Sequence, residues 1–240
     1  MTRAMQRRVL LAVPTALAAP ALPQSAAVDL LLVLAVDASG SIDADEFALQ
    51  REGIAEALAH PSVLAVIRSR PRRAIGVAMV EWGSPGGAAT VVEWLRIADA
   101  ASAEAAAEAM RAAPRSPQSW NAIGDALVHA GALLAAAPWR ADERTIDVSG
   151  DGPDMRSRTP APDARDALVA QGVVINGLAI EVSSNWRDGR LAALFERDVI
   201  GGPGAFVMRA EDRRDIARAM RAKLVREIAQ GRVPGDASPV

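Results

Sequence analysis

The chain of 240 residues contains no cysteine and no tyrosine, and its aromatic residues are three Phe and five Trp. Without cysteine there is no disulfide framework, no thiolate metal site and no cysteine nucleophile. Only two histidines are present, His60 and His129, and neither lies close in sequence to the aspartates discussed below, which removes the usual nitrogen ligands of zinc. Charge of either sign is also scarce in excess: 27 Lys and Arg face 29 Asp and Glu, a formal net charge of −2. Such a balance lacks the broad basic field that nucleic-acid binding needs. The catalytic signatures GxSxG, HExxH and a DxDx start are missing, as are the nucleotide-binding patterns GxGxxG and GxxxxGK[ST].

No apolar run is long enough for a membrane-spanning helix, which takes ~20 residues. The N-terminus carries Arg3, Arg7 and Arg8, then the apolar stretch Val9–Ala21 broken by Pro14 and Pro20, then small residues to Ala27. That is the order of a secretory leader, with cleavage expected after Ala18 or near Ala26. The expected organisation is a leader over 1–26, a domain over 27–232 and a loose Pro/Gly/Ser tail over 233–240. The mature protein is then periplasmic or secreted, without a transmembrane segment. Half of all residues are hydrophobic, enough for a single substantial core in the absence of disulfides.

What is present begins with Val28–Ser41, VDLLLVLAVDASGS. Its unbroken Val, Leu and Ala residues suit a parallel strand buried on both faces, ending in Asp37, Ser39, Gly40 and Ser41. Asp43 with Glu46 three residues on reads as a helix-capping box, and Phe47, Ile54 and Leu58 give the apolar stripe of a helix that Pro61 closes. Arg72–Trp82 and Thr90–Ile97 are strands joined by the turn Gly83–Gly87, which predicts an antiparallel hairpin. Ala100–Ala113 is helical by propensity, Pro114–Gln118 a loop, and Asn121–Ala137 a helix. Arg144–Val148 is a strand ending in Ser149-Gly150-Asp151-Gly152. Helix Asp163–Ala170, strand Val173–Ile180, helix Trp186–Arg197, strand Ala205–Met208 and the amphipathic helix Glu211–Ala229 complete the chain. The expected fold is α/β and doubly wound: six mostly parallel strands, one antiparallel edge strand, and helices on both faces.

Oxygen-bearing side chains therefore gather at strand ends and helix starts: Asp37-x-Ser39-x-Ser41, the Ser119–Asn121 region and Asp151. Residues at i, i+2 and i+4 of an extended segment point the same way. Two converging carboxylates repel each other unless a cation lies between them, and Mg²⁺ or Mn²⁺ accepts carboxylate, hydroxyl and water oxygens. The bland alternative for the DxSxS segment is a polar turn that merely caps the following helix. For Asn121 the alternative is the N-cap of its helix, and capping and ligation are compatible.

At these residues the sequence resembles the metal-ion-dependent adhesion site of von Willebrand factor type A domains. The resemblance implies a Mg²⁺ or Mn²⁺ held by Asp37, Ser39 and Ser41, by Asp151 in the turn that resembles the family's TDG, and by a residue at the family's Thr. In Asn121-Ala122-Ile123-Gly124-Asp125-Ala126-Leu127 that place is taken by Asn121, whose amide oxygen suits a hard cation; Ser119 is the fallback. It also implies that the ion captures an acidic side chain of a protein partner. Ser119, Trp120 and Asp154 are the neighbours expected to support the ligands or touch that partner, Trp120 because it adjoins Asn121. The phrases VDLLLVLAVDASGSID, IDVSGDGPD, INGLAI, VIGGPGAFV and AKLVREIA resemble a group of signal-bearing bacterial proteins of this superfamily known only as a domain of unknown function. That resemblance covers essentially all of the mature chain.

Two functions compete at this stage. One is a non-enzymatic exported binding module; the other is a metal-dependent hydrolase of phosphoryl or acyl groups with Asp37 or Asp151 as base. Trp82 and Trp94 are expected in the packing, His60 and His129 at helix ends or on the surface, and Asp125 at the surface or behind the ligands. Arg213, Arg214, Arg218, Arg221 and Arg226, interleaved with acids, are expected on a solvated face.

Overall fold

The computed structural model describes residues 27–181, 186, 188–211 and 215–230. The expected leader, the tail over 233–240, and Arg213 and Arg214 lie outside the described residues. In chain order the elements are β1 (Val28–Asp37), α1 (Ala44–Ala59), α2 (Pro61–Ser69), β2 (Ile75–Trp82), β3 (Ala89–Ile97), α3 (Ala100–Ala112) and α4 (Ile123–Ala135). They continue with β4 (Ala141–Gly150), α5 (Ala161–Val169), β5 (Val174–Ile180), α6 (Arg190–Asp198), β6 (Val207–Ala210) and α7 (Ile216–Ala229).

The six strands form one sheet in the order β3-β2-β1-β4-β5-β6. Every pairing is parallel except β2 with β3, whose hairpin carries two register irregularities. β1 is central because it is apolar on both faces. Leu30, Leu32, Leu34 and Val36 pack on one side, with α1, α3 and α7; Val28, Leu31, Val33 and Ala35 pack on the other, with α4, α5 and α6. A strand sandwiched in this way has no solvent face, so its hydrophobic run is continuous rather than alternating.

The capping box forms as expected: the Asp43 side chain accepts from Glu46 N at 2.8 Å, and Glu46 Oε2 accepts from Asp43 N at 3.1 Å. Pro61 does more than close a helix, because it also occupies the first position of α2, which sequence reading had missed. Proline has no N–H to contribute and the first helical position does not ask for one. β4 begins three residues earlier than expected, its polar start held by Arg72 on Asp142 and Arg70 on Glu143, each at 2.5 Å. Among the described residues no helix is long and apolar enough to cross a membrane.

Candidate metal centre

β1 and β4 are neighbours, and the chain leaves them towards opposite edges of the sheet. The C-terminal ends of two such strands border the crevice where ligands of open α/β sheets bind. Asp37 ends β1 and is fully buried; Asp151 follows β4. One Asp37 oxygen accepts from Ser39 N at 2.8 Å and the other from Asp151 N at 3.3 Å, so this carboxylate ties the two loops together. Ser39 Oγ lies 3.0 Å from Ser41 Oγ. Ser41 Oγ in turn lies 3.0 and 3.2 Å from the two carboxylate oxygens of Asp151. Asp37, Ser39, Ser41 and Asp151, 110 residues or more apart between the two loops, thus form one continuous oxygen-lined patch.

Asn121 reaches the same place from the segment before α4. A Cβ on Gly152 would lie 2.5 Å from Asn121 Nδ2, so the turn after Asp151 requires glycine for the amide to approach. The Asn121 side-chain oxygen is buried and has no hydrogen-bond partner. It does not cap α4: the cap position is Ala122, with no side-chain bond. That work is done from a distance by Asp154, which accepts from Gly124 N at 3.2 Å and, through its other oxygen, from Ala161 N at the start of α5 at 3.1 Å. Asp154 is therefore spent on two helix starts. Asp125, expected at the surface or behind the ligands, is buried, and joins Gly86 N (2.7 Å) to Arg158 N (2.9 Å) and Thr159 N (3.1 Å).

Ser119 supports the loop through its backbone, its carbonyl accepting from Gly40 N at 3.2 Å, while its hydroxyl lies 3.1 Å from Ser84 Oγ. Trp120 is 42% exposed beside Asn121, with the Arg156 guanidinium 4.0 Å above its ring. Met155, another exposed apolar side chain, follows on the same rim. Trp82 is fully buried, as expected of packing.

Burial first, and the nearby Asp151 charge second, push Asp37 up to about 7; its bonds from Ser39 and Asp151 N–H only partly offset this. Two carboxylates held together make a site short of positive charge. All five side chains offer oxygen, and among the described residues no group of three His, Cys, Asp or Glu forms a metal cluster. Two carboxylates, two hydroxyls and an amide oxygen fit a hard divalent cation that keeps water or an external ligand for its remaining places.

Sequence reasoning missed the residues that hold this loop in shape. Arg115, from the segment between α3 and α4, donates to the carbonyls of Ala38 (3.3 Å), Ser39 (3.2 Å) and Ile42 (2.7 Å). Its guanidinium and that of Arg51 each lie 4.9 Å from the Phe47 ring. Arg51 also pairs with the buried Glu81, whose other oxygen accepts from Ser116 N at 2.5 Å. Apart from Arg51 over Phe47, which is an i,i+4 pair within α1, none of these contacts has a local sequence signal, since each links segments far apart in the chain.

A parallel sheet with one antiparallel edge strand, and a DxSxS loop facing a second aspartate where the strand order reverses, define a von Willebrand factor type A-like fold. The chain itself belongs to a protein family of unknown function, DUF1194, which matches residues 27–232. Among solved structures it is similar to the pilus adhesin SpaC of Lactobacillus rhamnosus GG, with 16% identity and a TM-score of 0.59 over 86% of this chain and 31% of SpaC. It is similar to proximal thread matrix protein 1 of the mussel byssus with a zinc-occupied MIDAS motif, at 15% identity and TM-score 0.59 over 86% of this chain and 47% of that one. It also resembles the vWF domain of the type V pili tip protein Mfa5 of Porphyromonas gingivalis, at 12% identity and TM-score 0.60 over 88% of this chain and 99% of that domain. The chain thus spans less than a third of SpaC and less than half of the mussel protein. No curated protein matches it.

Proposed function

We propose that this protein is an exported binding module that holds a divalent cation, Mg²⁺ or Mn²⁺, on Asp37, Ser39, Ser41, Asn121 and Asp151. The open coordination place takes the carboxylate of an acidic side chain on a protein partner. The observation that carries this reading is the Asp37–Asp151 pair with the Ser39 and Ser41 hydroxyls in line with it, and the buried, unpartnered Asn121 oxygen beside the turn that follows Asp151. A buried acceptor without a donor costs ~1–3 kcal/mol, and a cation removes that cost together with the carboxylate repulsion. Exposed Trp120 and Met155 with Arg156 give the rim an apolar and basic character that suits an acidic partner. The pilus proteins and the zinc-occupied mussel protein with the same fold support binding in preference to hydrolysis. The leader over residues 1–26 is removed on export, and the mature protein works in the periplasm or outside the cell.

The test is calorimetric titration of Mg²⁺, Mn²⁺ and Zn²⁺ into the metal-stripped mature protein. One ion should bind the wild type and none the Asp37→Ala and Asp151→Ala variants, with circular dichroism unchanged. Asn121→Ala should weaken binding and Asn121→Thr should restore it. Failure of the wild type to bind any of the three ions sinks the reading. Turnover of generic phosphate or ester substrates that Asp37→Ala abolishes would replace it with a hydrolase.

A further inference from the structure

Gln50 lies on α1 one and two turns before Ile54 and Leu58, on the stripe this helix presses into the core. It is 3% exposed, yet neither its side-chain oxygen nor its nitrogen has a hydrogen-bond partner. An apolar residue would continue the stripe there without leaving two polar atoms unpaired, a condition that interiors rarely tolerate. Gln50 instead borders a narrow pocket lined by Ile42, Glu46, Asp151, Ile180 and Ile216. The walls are three isoleucines, each nearly buried, and Glu46 and Asp151 bring carboxylates. Asp151 is shared with the candidate cation site, so the pocket opens directly beside it.

The chemistry of these groups restricts the occupant. The two carboxylates disfavour an anion. An ammonium only donates, which would leave the Gln50 N–H without an acceptor. The pocket has water-sized room, enough for one polar heavy atom and too little for a ring, a carboxylate or a carboxamide. A hydroxyl is a single heavy atom that both donates and accepts, so it can bridge the oxygen and nitrogen edges of one carboxamide.

We propose that this pocket is a hydroxyl subsite: it takes the hydroxyl of a serine or threonine side chain of the partner, bound by Gln50 next to the cation-bound carboxylate. The proposal rests on the reading above for the partner's approach, but the hydroxyl contact itself needs no cation.

The test exploits that independence. The probes are N-acetyl-threonine methylamide and its isosteric valine analogue, titrated into ¹⁵N-labelled mature protein while the Gln50 side-chain amide signals are followed. The threonine probe should move these signals and bind about tenfold more tightly than the valine probe, as expected for a hydrogen-bonded pair. The preference should persist in Asp37→Ala and with chelator present, and disappear in Gln50→Leu. Gln50→Leu should keep its fold, because leucine extends the apolar stripe. Equal binding of the two probes, or no shift with either, means that the pocket holds solvent only and overturns the proposal. A threonine preference retained in Asp37→Ala alongside failed metal titration would separate the two readings, sinking the cation and keeping the subsite.

Discussion

At the scale of single residues, the candidate site divides into what chemistry requires and what geometry requires. Asp37, Ser39 and Ser41 were legible because three oxygen-bearing side chains at alternate positions form a local pattern after a buried strand. Asp151 was legible because it repeats the arrangement at a second strand end. Arg115 was invisible, since its partners are backbone carbonyls about 75 residues away, which leave no trace in composition or spacing. Those bonds nevertheless decide where Ser39 and Ser41 point. One guanidinium nitrogen serves three carbonyls while the plane stacks on Phe47, a combination that a lysine cannot reproduce. Arg115→Lys and Arg115→Met are therefore expected to lower cation affinity about tenfold, the scale of losing a group that orients ligands. Arg115 is partly solvated, so folding stability should fall by only ~1 kcal/mol. Calorimetry and urea unfolding of the same samples check this; a variant with unchanged affinity would mean that the loop holds its shape without the arginine.

At the scale of elements, local signals were read correctly and cross-chain ones were not. The Asp43–Glu46 box starts α1 as expected, whereas α2 was hidden by reading Pro61 only as a stop. α7 is the instructive case. Its arginines were expected on a solvated face, and Arg218 does pair with Asp215 outside. Arg226 is exposed too, and lies over the Phe206 ring at 3.8 Å. Lys223 and Glu227 are buried against the sheet: Lys223 Nζ lies 2.6 Å from Asp147 and 2.5 Å from Glu227. Asn176 also donates to Glu227, at 2.9 Å. Helical periodicity cannot show this, because the charges sit where apolar residues belong and their partners come from β4 and β5.

Two carboxylates share one ammonium there, and burial followed by the Asp147 charge pushes Glu227 up to about 7. A carboxyl raised in the folded state binds a proton more tightly there than in the unfolded chain. Its contribution is thus fully present below about pH 4.5 and is lost as pH rises through about 7. Glu227 Oε1 accepts both bonds while Oε2 has none, so glutamine fits with its oxygen in the first place. Glu227→Gln should remove this loss: its urea midpoint should gain on the wild type between pH 5 and about 8. Parallel curves for the two proteins across that range would refute a shared proton. Lys223→Met, which strands both acids, should cost ~3–5 kcal/mol.

At the scale of the whole molecule, the class of fold was legible in the sequence because the central strands β1, β2 and β5 announce themselves as apolar runs and the strand ends carry turn signals. The strand order was not legible from the residues alone, since it depends on pairing across the chain. That order is what gives the site its mechanical meaning. β1 joins the β2–β3 half of the sheet to the β4–β5–β6 half, and the candidate ligands come from the ends of β1 and β4, on the two sides of the β1–β4 seam, and from the segment before α4. An ion held by all of them binds the folded chain and has no counterpart in the unfolded one, so it must stabilise the whole domain. At a hundredfold excess over the dissociation constant the gain is ~2.7 kcal/mol, which for a domain of this size raises Tm by about 5–10 °C. Mg²⁺ or Mn²⁺ added to the metal-stripped protein at constant ionic strength should produce that rise, and chelator should reverse it. Screening of surface charge would stabilise the wild type and Asp151→Ala alike, whereas ligation through the seam predicts a rise in the wild type only. An equal rise in both proteins would place the ion elsewhere on the molecule and remove the physical basis for capture of an acidic partner at this edge of the sheet.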